Sequence, residues 1–515
     1  MSVLMTADDY RGSLRELFPR VFVNGRVIES VADEPSLAPG IAAIGVSYEM
    51  AHADEHRELM TARTTDGRTV NRMLFLGEDR EELLSKLEAV RLLCRECGCA
   101  QRYLVRDALA AVSEATFAAD CEHGTEYHER LRVYLREVQD RDLALGIAMT
   151  DAKGDRSLRP AQQQNKDVYV RVTDRRADGI VIRGTKAIVT GAPYMHELLV
   201  MPCRTMRATE SEFAVCGAVP IDSPGVTVIA RPAGRPGERA ASFSARYGQS
   251  TGVVVFEDVL VPWDRVFLAG ESEQAGILTT AYATHHRHTC IAARAGFGDL
   301  LIGAATLITE ANGLDPDQYP HIREKLVQLI SIVEGFYACG VAASTYATED
   351  PSGVAVPDAV FANIGKLLLS GQIYEMQRLA HELAGGLIVA LPGPDEDHNP
   401  GTQAVLAEVL SGRGDIPAAR RLQVARMIED LTASNQGGWY SVISLHGGGS
   451  PEAMKREIWR NYPIPEKTAL VEHLLDRGLA GEHPASSRQP GRCCVTGCRT
   501  VDGHEATPLS TGSGA

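Results

Sequence analysis

The sequence predicts an α+β protein in which helical N- and C-terminal parts flank a central β-domain. Three observations carry that expectation. Apolar residues recur at helical spacing up to about residue 140. Short β-branched runs replace them between about 142 and 265, and helical periodicity then returns over long stretches. The expected divisions are an N-terminal helical domain over 1–141, a β-barrel or sandwich over 142–268, a helical bundle over 269–478 and a disordered tail over 479–515.

In the first part, residues 79–93, 102–117 and 130–145 show the i, i+3, i+4 recurrence of amphipathic helix. The middle holds Val168-Tyr169-Val170-Arg171-Val172, Gly179-Ile180-Val181-Ile182-Arg183-Gly184, Glu197-Leu198-Leu199-Val200-Met201, Phe213-Ala214-Val215-Cys216, Gly225-Val226-Thr227-Val228-Ile229 and Gly252-Val253-Val254-Val255-Phe256. Turn residues separate these runs at modest spacing, as in a sandwich or barrel. Residues 291–312, 322–346 and 357–383 predict long buried helices, and 417–433 another, opened by Pro417 where proline suits a helix start. The tail is rich in Gly, Ser, Pro and Thr without apolar period, so disorder is expected there. Its Cys493, Cys494, Cys498 and His504 lack the apolar surroundings of a metal clip.

The formal net charge is -15 over 515 residues, with 44% hydrophobic and 23% charged. That balance excludes nucleic acid as the main partner, since phosphate binding needs a basic face. No run approaches eighteen uninterrupted apolar residues, so no membrane span is expected. The first ten residues lack the basic start and apolar core of a secretion signal, so a cytoplasmic location with reduced cysteines is expected. Cys94, Cys97 and Cys99 fall on a predicted helix, where three thiols rarely share one side, and read as packed core residues.

The most informative stretch is Ala148-Met149-Thr150-Asp151-Ala152-Lys153-Gly154-Asp155-Arg156, followed by Gly184-Thr185-Lys186-Ala187-Ile188-Val189-Thr190-Gly191. A flavin needs hydrogen-bond partners at its ring and a grip on its pyrophosphate. The Thr150 hydroxyl and nearby backbone amides could supply the first, Lys153 and Arg156 the second, and Thr190 could reach the ring. On residue types alone, a solvated turn serves as well.

Residues from about 5 to 475 resemble the family that joins 4-hydroxyphenylacetate 3-monooxygenases with 4-hydroxybutyryl-CoA dehydratases. The resemblance rests on the loop just quoted, with Ser157, and on Asp178-Gly179-Ile180-Val181 with Arg183-Gly184. It continues through Val255-Phe256-Glu257-Asp258-Val259, Val261-Pro262-Trp263-Asp264-Arg265-Val266-Phe267, Ala384-Gly385-Gly386-Leu387 and His446-Gly447-Gly448-Gly449-Ser450-Pro451. It implies an acyl-CoA dehydrogenase-like fold and a homotetramer that binds FAD. The relatives' flavin contacts fall on Met149, Thr150 and Thr190 and, across a subunit boundary, on Gly385 and Gly386; Lys153, Asp155 and Arg156 complete the expected cofactor-binding set.

The dehydratase branch is closer in wording around 151–156 and 446–451. It carries a [4Fe–4S] cluster held by three cysteines and one histidine. Those ligand positions fall on Cys99, Tyr103, His286 and Ala293, and a cubane with half its protein ligands would not be held. The branch's catalytic glutamates fall on Thr251 and Ile443, and its active-site tyrosine on Cys290. Neither threonine nor isoleucine can act as a base.

The hydroxylase branch needs no metal, but its phenol-holding arginine, tyrosine and histidine fall on Leu104, Ala108 and Ile147. The substrate is therefore expected to be a small molecule, aromatic by class, other than 4-hydroxyphenylacetate. Arg102, Tyr103 and His286 are the polar candidates for its side of the pocket; His288 is expected to be structural. No G-x-G-x-x-G after a strand is visible, so a separate flavin reductase, bound transiently, is expected to supply reduced FAD. The overall expectation is a metal-free, two-component FAD monooxygenase. The alternatives are a CoA-thioester dehydratase or isomerase and an inactive binding homologue.

Overall fold

A computed structural model of the chain describes residues 4–477 apart from Ala100, Pro236 and Asp415. The expected tail and its cysteines lie outside the described residues. One compact unit runs to Tyr462, and a second begins at Pro463, of which the helix Ile464–Asp476 is described.

The β-part contains two sheets. The larger has six strands in the order Arg26–Val27, Arg20–Val23, Val226–Ala230, Thr251–Pro262, Gly179–Thr190 and Arg171–Arg175. The smaller orders Val266–Ala269, Val215–Pro220, Glu197–Val200 and Leu145–Ala148. Gly179–Thr190 and Thr251–Pro262 pair antiparallel from Thr190 opposite Thr251 to Gly179 opposite Pro262. Residues from both sheets share one core with the helices Ala7–Leu14 and Tyr103–His123. Burying that continuous apolar surface is the main force holding the domain to its helices.

The helical part is built on Ser272–Ala311, 40 residues long. It packs against Arg80–Cys97, Tyr103–His123, Pro320–Thr345, Ala359–Ala384 and Ala418–Thr432. Ser272–Ala311 and Pro320–Thr345 are apolar and long enough to cross a bilayer by length and composition; the apolar window of the first is 67% buried within the protein.

The expected helix–sheet–helix order is present, with local differences. Arg20–Val23 and Arg26–Val27 form a hairpin inside the stretch expected to be all helical, and Arg20–Val23 runs parallel to Val226–Ala230. The helix expected over 130–145 ends at Asp140, and Leu145–Ala148 is already strand. The strand expected at 168–172 begins at Arg171, because Lys166–Val168 forms a 3₁₀ turn. The helix expected from 291 starts nineteen residues earlier, at Ser272.

Candidate active site

The strand Leu145–Ala148 is fully buried, and the chain leaves it at Met149 and Thr150, both half-buried. Lys186 fixes this exit. Its ammonium lies 2.8 Å from the Asp151 carboxylate and donates to the carbonyls of Met149 (2.9 Å) and Met201 (2.7 Å). Asp151 also accepts from the Val170 amide at 2.9 Å. The Thr150 carbonyl accepts from the Ala187 amide at 2.9 Å, which places Thr150 and half-buried Thr190 along one strand edge, about 10 Å of strand apart.

Beyond Asp151 the chain reverses through Lys153 and Gly154, both in the left-handed region. Arg156 is exposed and Lys153 half-buried, and among the described residues neither forms an ion pair, so both cations are free for phosphate. Asp155 behaves otherwise: its carboxylate accepts from the Ser157 amide (2.9 Å) and hydroxyl (2.7 Å). Those bonds hold its carboxyl below the ordinary value. Asp155 therefore shapes the turn from within, which is the role short acceptor side chains take in loops.

At the other end of the edge, Gly191 donates to the Ser250 carbonyl. The Tyr194 hydroxyl donates to Gln101 Oε1 at 3.1 Å and accepts from the Ser250 amide at 3.2 Å. Three amide atoms around this end, Gln101 Nε2, Gln249 Oε1 and Gln436 Nε2, are buried without a partner. Buried polar groups are normally bonded, so these glutamines suit a ligand with donors and acceptors of its own. That need and the two unpaired cations fit a flavin nucleotide. Sequence reasoning missed all three glutamines, since isolated amides carry no motif. Gln436 also lines a cleft of about 540 Å³ bounded by Arg231, Asp430 and Asn435.

A second group lies on the helical side. Tyr103 and His286 come together: their rings are near-parallel with centroids 6.4 Å apart, and Tyr282 stacks on His286 at 5.3 Å. His286 Nδ1 lies 3.4 Å from Asp107, and Nε2 lies 3.4 Å from the Cys290 sulfur. Asp107 is buried and held by Lys86 (3.1 Å) and Thr289 (2.7 Å). Burial opposes protonation of His286, but Cys290 and Asp107 raise it to about 9. Gly448, with positive φ, sits against His286, Arg287 and Lys366. Burial brings Lys366 down to about 8.

Arg102 departs from the expectation. It is fully buried, its Nη2 bonds the carboxylate and carbonyl of Asp142, and its guanidinium lies 3.9 Å over the Tyr48 ring. It locks the start of Tyr103–His123 to the turn before Leu145–Ala148 and does not join the His286 group. Gly385 and Gly386 are exposed at the end of Ala359–Ala384, with nothing within 4 Å of a Cβ built on either. His285 pairs with Glu114 at 2.7 Å, and His288 bonds Ser344 at 2.8 Å. His446 is exposed, and the glycines after it lead to Ser450, which caps Pro451–Asn461.

The same group tests the fit of an iron–sulfur cluster. Cys99 faces the Tyr103 hydroxyl at 3.7 Å and Arg294 Nη2 at 3.9 Å, and Ala293 offers no donor. A guanidinium stands against the one thiol of the expected ligand set. These residues do not fit a four-ligand cubane.

The family model described as "4-hydroxyphenylacetate 3-hydroxylase N terminal" matches residues 6–268, and its C-terminal counterpart matches 275–476. The chain is 33% identical over 496 residues to 4-hydroxybutyryl-CoA dehydratase/vinylacetyl-CoA-Delta-isomerase of Clostridium aminobutyricum, covering 92% of this chain and 99% of that protein. It is 26% identical over 482 residues to the 4-hydroxyphenylacetate 3-monooxygenase oxygenase component of Thermus thermophilus, covering 92% and 98%. Among solved structures, an oxygen-tolerant archaeal 4-hydroxybutyryl-CoA dehydratase from N. maritimus superposes with a TM-score of 0.88 at 32% identity, covering 94% and 98%. An oxygenase component complexed with FAD superposes at 0.81 with 24% identity, covering 92% and 99%, and so shares the fold. The acyl-CoA dehydrogenase-like fold expected from the resemblance is the fold these proteins have in common.

Proposed function

The chain belongs to the 4-hydroxyphenylacetate 3-hydroxylase family, and we propose that within it the protein is an FAD-dependent monooxygenase acting on a small aromatic substrate. The observation that carries this reading is the His286 group, where Tyr103 and Ala293 stand at two cluster-ligand positions and Arg294 lies against Cys99.

FAD, when bound, would supply the redox chemistry, with reduced flavin activating O2. Thr150, Met149 and Thr190 would hold the ring along the edge fixed by Lys186, and Lys153 and Arg156 would meet the phosphates. Gln101 would offer its unpaired amide to the ring's polar end. Tyr103, Tyr282 and His286 give the substrate side stacking surfaces and a proton-carrying imidazole. Their burial would keep water away from the reacting centre, which suppresses side reactions there. The same reading includes a separate reductase, a cytoplasmic location and a homotetramer in which the exposed Gly385 and Gly386 meet a neighbour's flavin.

The test supplies chemically reduced FAD, 18O2 and a panel of phenols, and follows label in the product by mass spectrometry. Label in a hydroxylated product supports the reading. A second reading, a dehydratase or isomerase of acyl-CoA thioesters, is favoured by the 33% identity to such an enzyme. Stoichiometric iron and sulfide, with turnover of 4-hydroxybutyryl-CoA and no labelled product, would establish it instead.

A further inference from the structure

The cleft of about 540 Å³ opens beside the Thr190 end of the strand edge, and its volume is ordinary for a small-molecule site. The amide of Arg231, on its wall, donates to the Thr251 carbonyl at 2.9 Å, and Thr251 pairs with Thr190. The Gln249 amide donates to Gln436 Oε1 at 3.1 Å, and the adjacent Ser250 amide meets the Tyr194 hydroxyl. Gln436 lines the cleft at 5% exposure, and its Nε2 donor is buried without a partner. A row of buried amides thus leads from the cleft to the residues assigned to the flavin ring.

Two half-buried charges face this cleft from different elements. Arg231 follows the strand Val226–Ala230, and its Nη2 bonds the carbonyl and the side-chain oxygen of Asn435. Both partners are neutral, so Nε and Nη1 remain for an anion. Glu429 lies near the end of Ala418–Thr432, and among the described residues its carboxylate has neither a hydrogen bond nor an ion pair. The other charged groups of the cleft are spent within the protein. Asp430 accepts from the Ser244 amide (2.8 Å) and hydroxyl (2.6 Å), and Arg235 pairs with Glu238 at 3.4 Å. Among the described residues no ion pair joins Arg231 to Glu429. Burial lowers Arg231, while burial and the neighbouring Asp430 raise Glu429. Each is a charge that a counter-charge would stabilise.

A ligand that carries a carboxylate and an ammonium a few atoms apart satisfies both charges at once. We propose that the cleft is the head-group site for an aromatic α-amino acid, with its carboxylate on Arg231 and its ammonium on Glu429. Gln436 Nε2 supplies a further donor at the inner end, and the ring points along the amide row toward the flavin edge. Both head-group contacts are charge-assisted, which sets the zwitterion apart from an analogue lacking either charge. The direction of the ring rests on the monooxygenase reading; the charge pairing does not.

The test titrates the FAD-loaded, full-length protein with L-tyrosine, with tyramine, which lacks the carboxylate, and with 3-(4-hydroxyphenyl)propanoate, which lacks the ammonium. Calorimetry without O2 reads binding alone. L-Tyrosine is expected to bind at least about tenfold tighter than either analogue. Arg231→Gln should bring L-tyrosine to the level of tyramine and leave tyramine no weaker. Glu429→Gln should bring it to the level of the propanoate and leave that acid no weaker. Binding of the spared analogue also shows that each variant is folded. The proposal is overturned if L-tyrosine binds no tighter than the analogues, or if Arg231→Gln weakens tyramine as much as L-tyrosine. Selective binding with no 18O in the product supports the site and counts against the monooxygenase reading. Label in another phenol, with unselective L-tyrosine, overturns the site and leaves that reading in place.

Discussion

Lys186 and Asp151 form a sealed ion pair, 2.8 Å apart, with side-chain exposures of 1% and 2%. The pair joins the strand Gly179–Thr190 to the start of the loop that carries Met149 and Thr150. Removing one partner leaves a buried charge uncompensated, which costs about 3–5 kcal/mol. Lys186→Met should therefore lower unfolding stability by that amount in urea titrations. Lys186→Met combined with Asp151→Leu should recover most of it, because no lone charge remains. A double variant as unstable as the single one would show that the backbone bonds of Lys186, rather than the pairing, hold the exit.

Thr150 and Thr190 stand half-buried on one edge, and their hydroxyls are the groups assigned to the flavin ring. A typical hydrogen bond contributes about 0.5–1.5 kcal/mol net. Thr150→Val and Thr190→Val should each weaken FAD binding up to about tenfold by isothermal calorimetry, with little change in melting temperature of the apoprotein. Arg156→Gln should weaken it in a salt-dependent way, as expected of an exposed phosphate contact. Asp155→Ala should act through loop order, because that carboxylate is spent on Ser157.

How much of this was legible in the sequence depended on the range of the interaction. Helical and strand periodicity gave the layer order, and the loop from Ala148 to Arg156 pointed at the site. Periodicity could not see the hairpin at Arg20–Val27, whose strand is fixed by pairing with Val226–Ala230, about two hundred residues away. In the sequence Arg102 is a polar candidate for the substrate side on the same footing as Tyr103 and His286. Only the fold reveals that Asp142 takes its charge. The contact between Asp107 and His286 is likewise hidden, since the two are 179 positions apart.

Gly98 ends Arg80–Cys97 with φ +70°, and a Cβ there would run into the Tyr440 hydroxyl. A left-handed alanine costs about 1–2 kcal/mol, and overpacking adds about 1–3 kcal/mol. Gly98→Ala should destabilise the protein by that sum and disturb Cys99 and Tyr103 immediately after the turn. Gly98→Ala with Tyr440→Phe should recover only part of the steric share, because the Tyr440 ring Cζ lies 2.9 Å from that Cβ and remains in phenylalanine, and denaturant midpoints read the size of that recovery.

The clearest pH dependence of stability is expected at His196. Its Nδ1 accepts the Ala144 amide at 2.9 Å and its Nε2 meets the Ser13 hydroxyl at 2.8 Å, an arrangement satisfied by neutral imidazole. Burial, reinforced by the Arg102 charge, lowers it from 6.5 to about 4. The folded state therefore resists a proton that the unfolded chain takes up readily. The sign follows: this stabilisation is fully present above pH 6.5 and is lost as pH falls through about 4. Each tenfold difference in proton affinity between the folded and unfolded imidazole is worth about 1.4 kcal/mol, so the loss over that window amounts to about 3 kcal/mol. Urea midpoints taken between pH 7.5 and 4.5 should fall steeply in the wild type and less in His196→Gln, which cannot take up the proton. Parallel curves for the two proteins would mean that other groups carry the acid sensitivity.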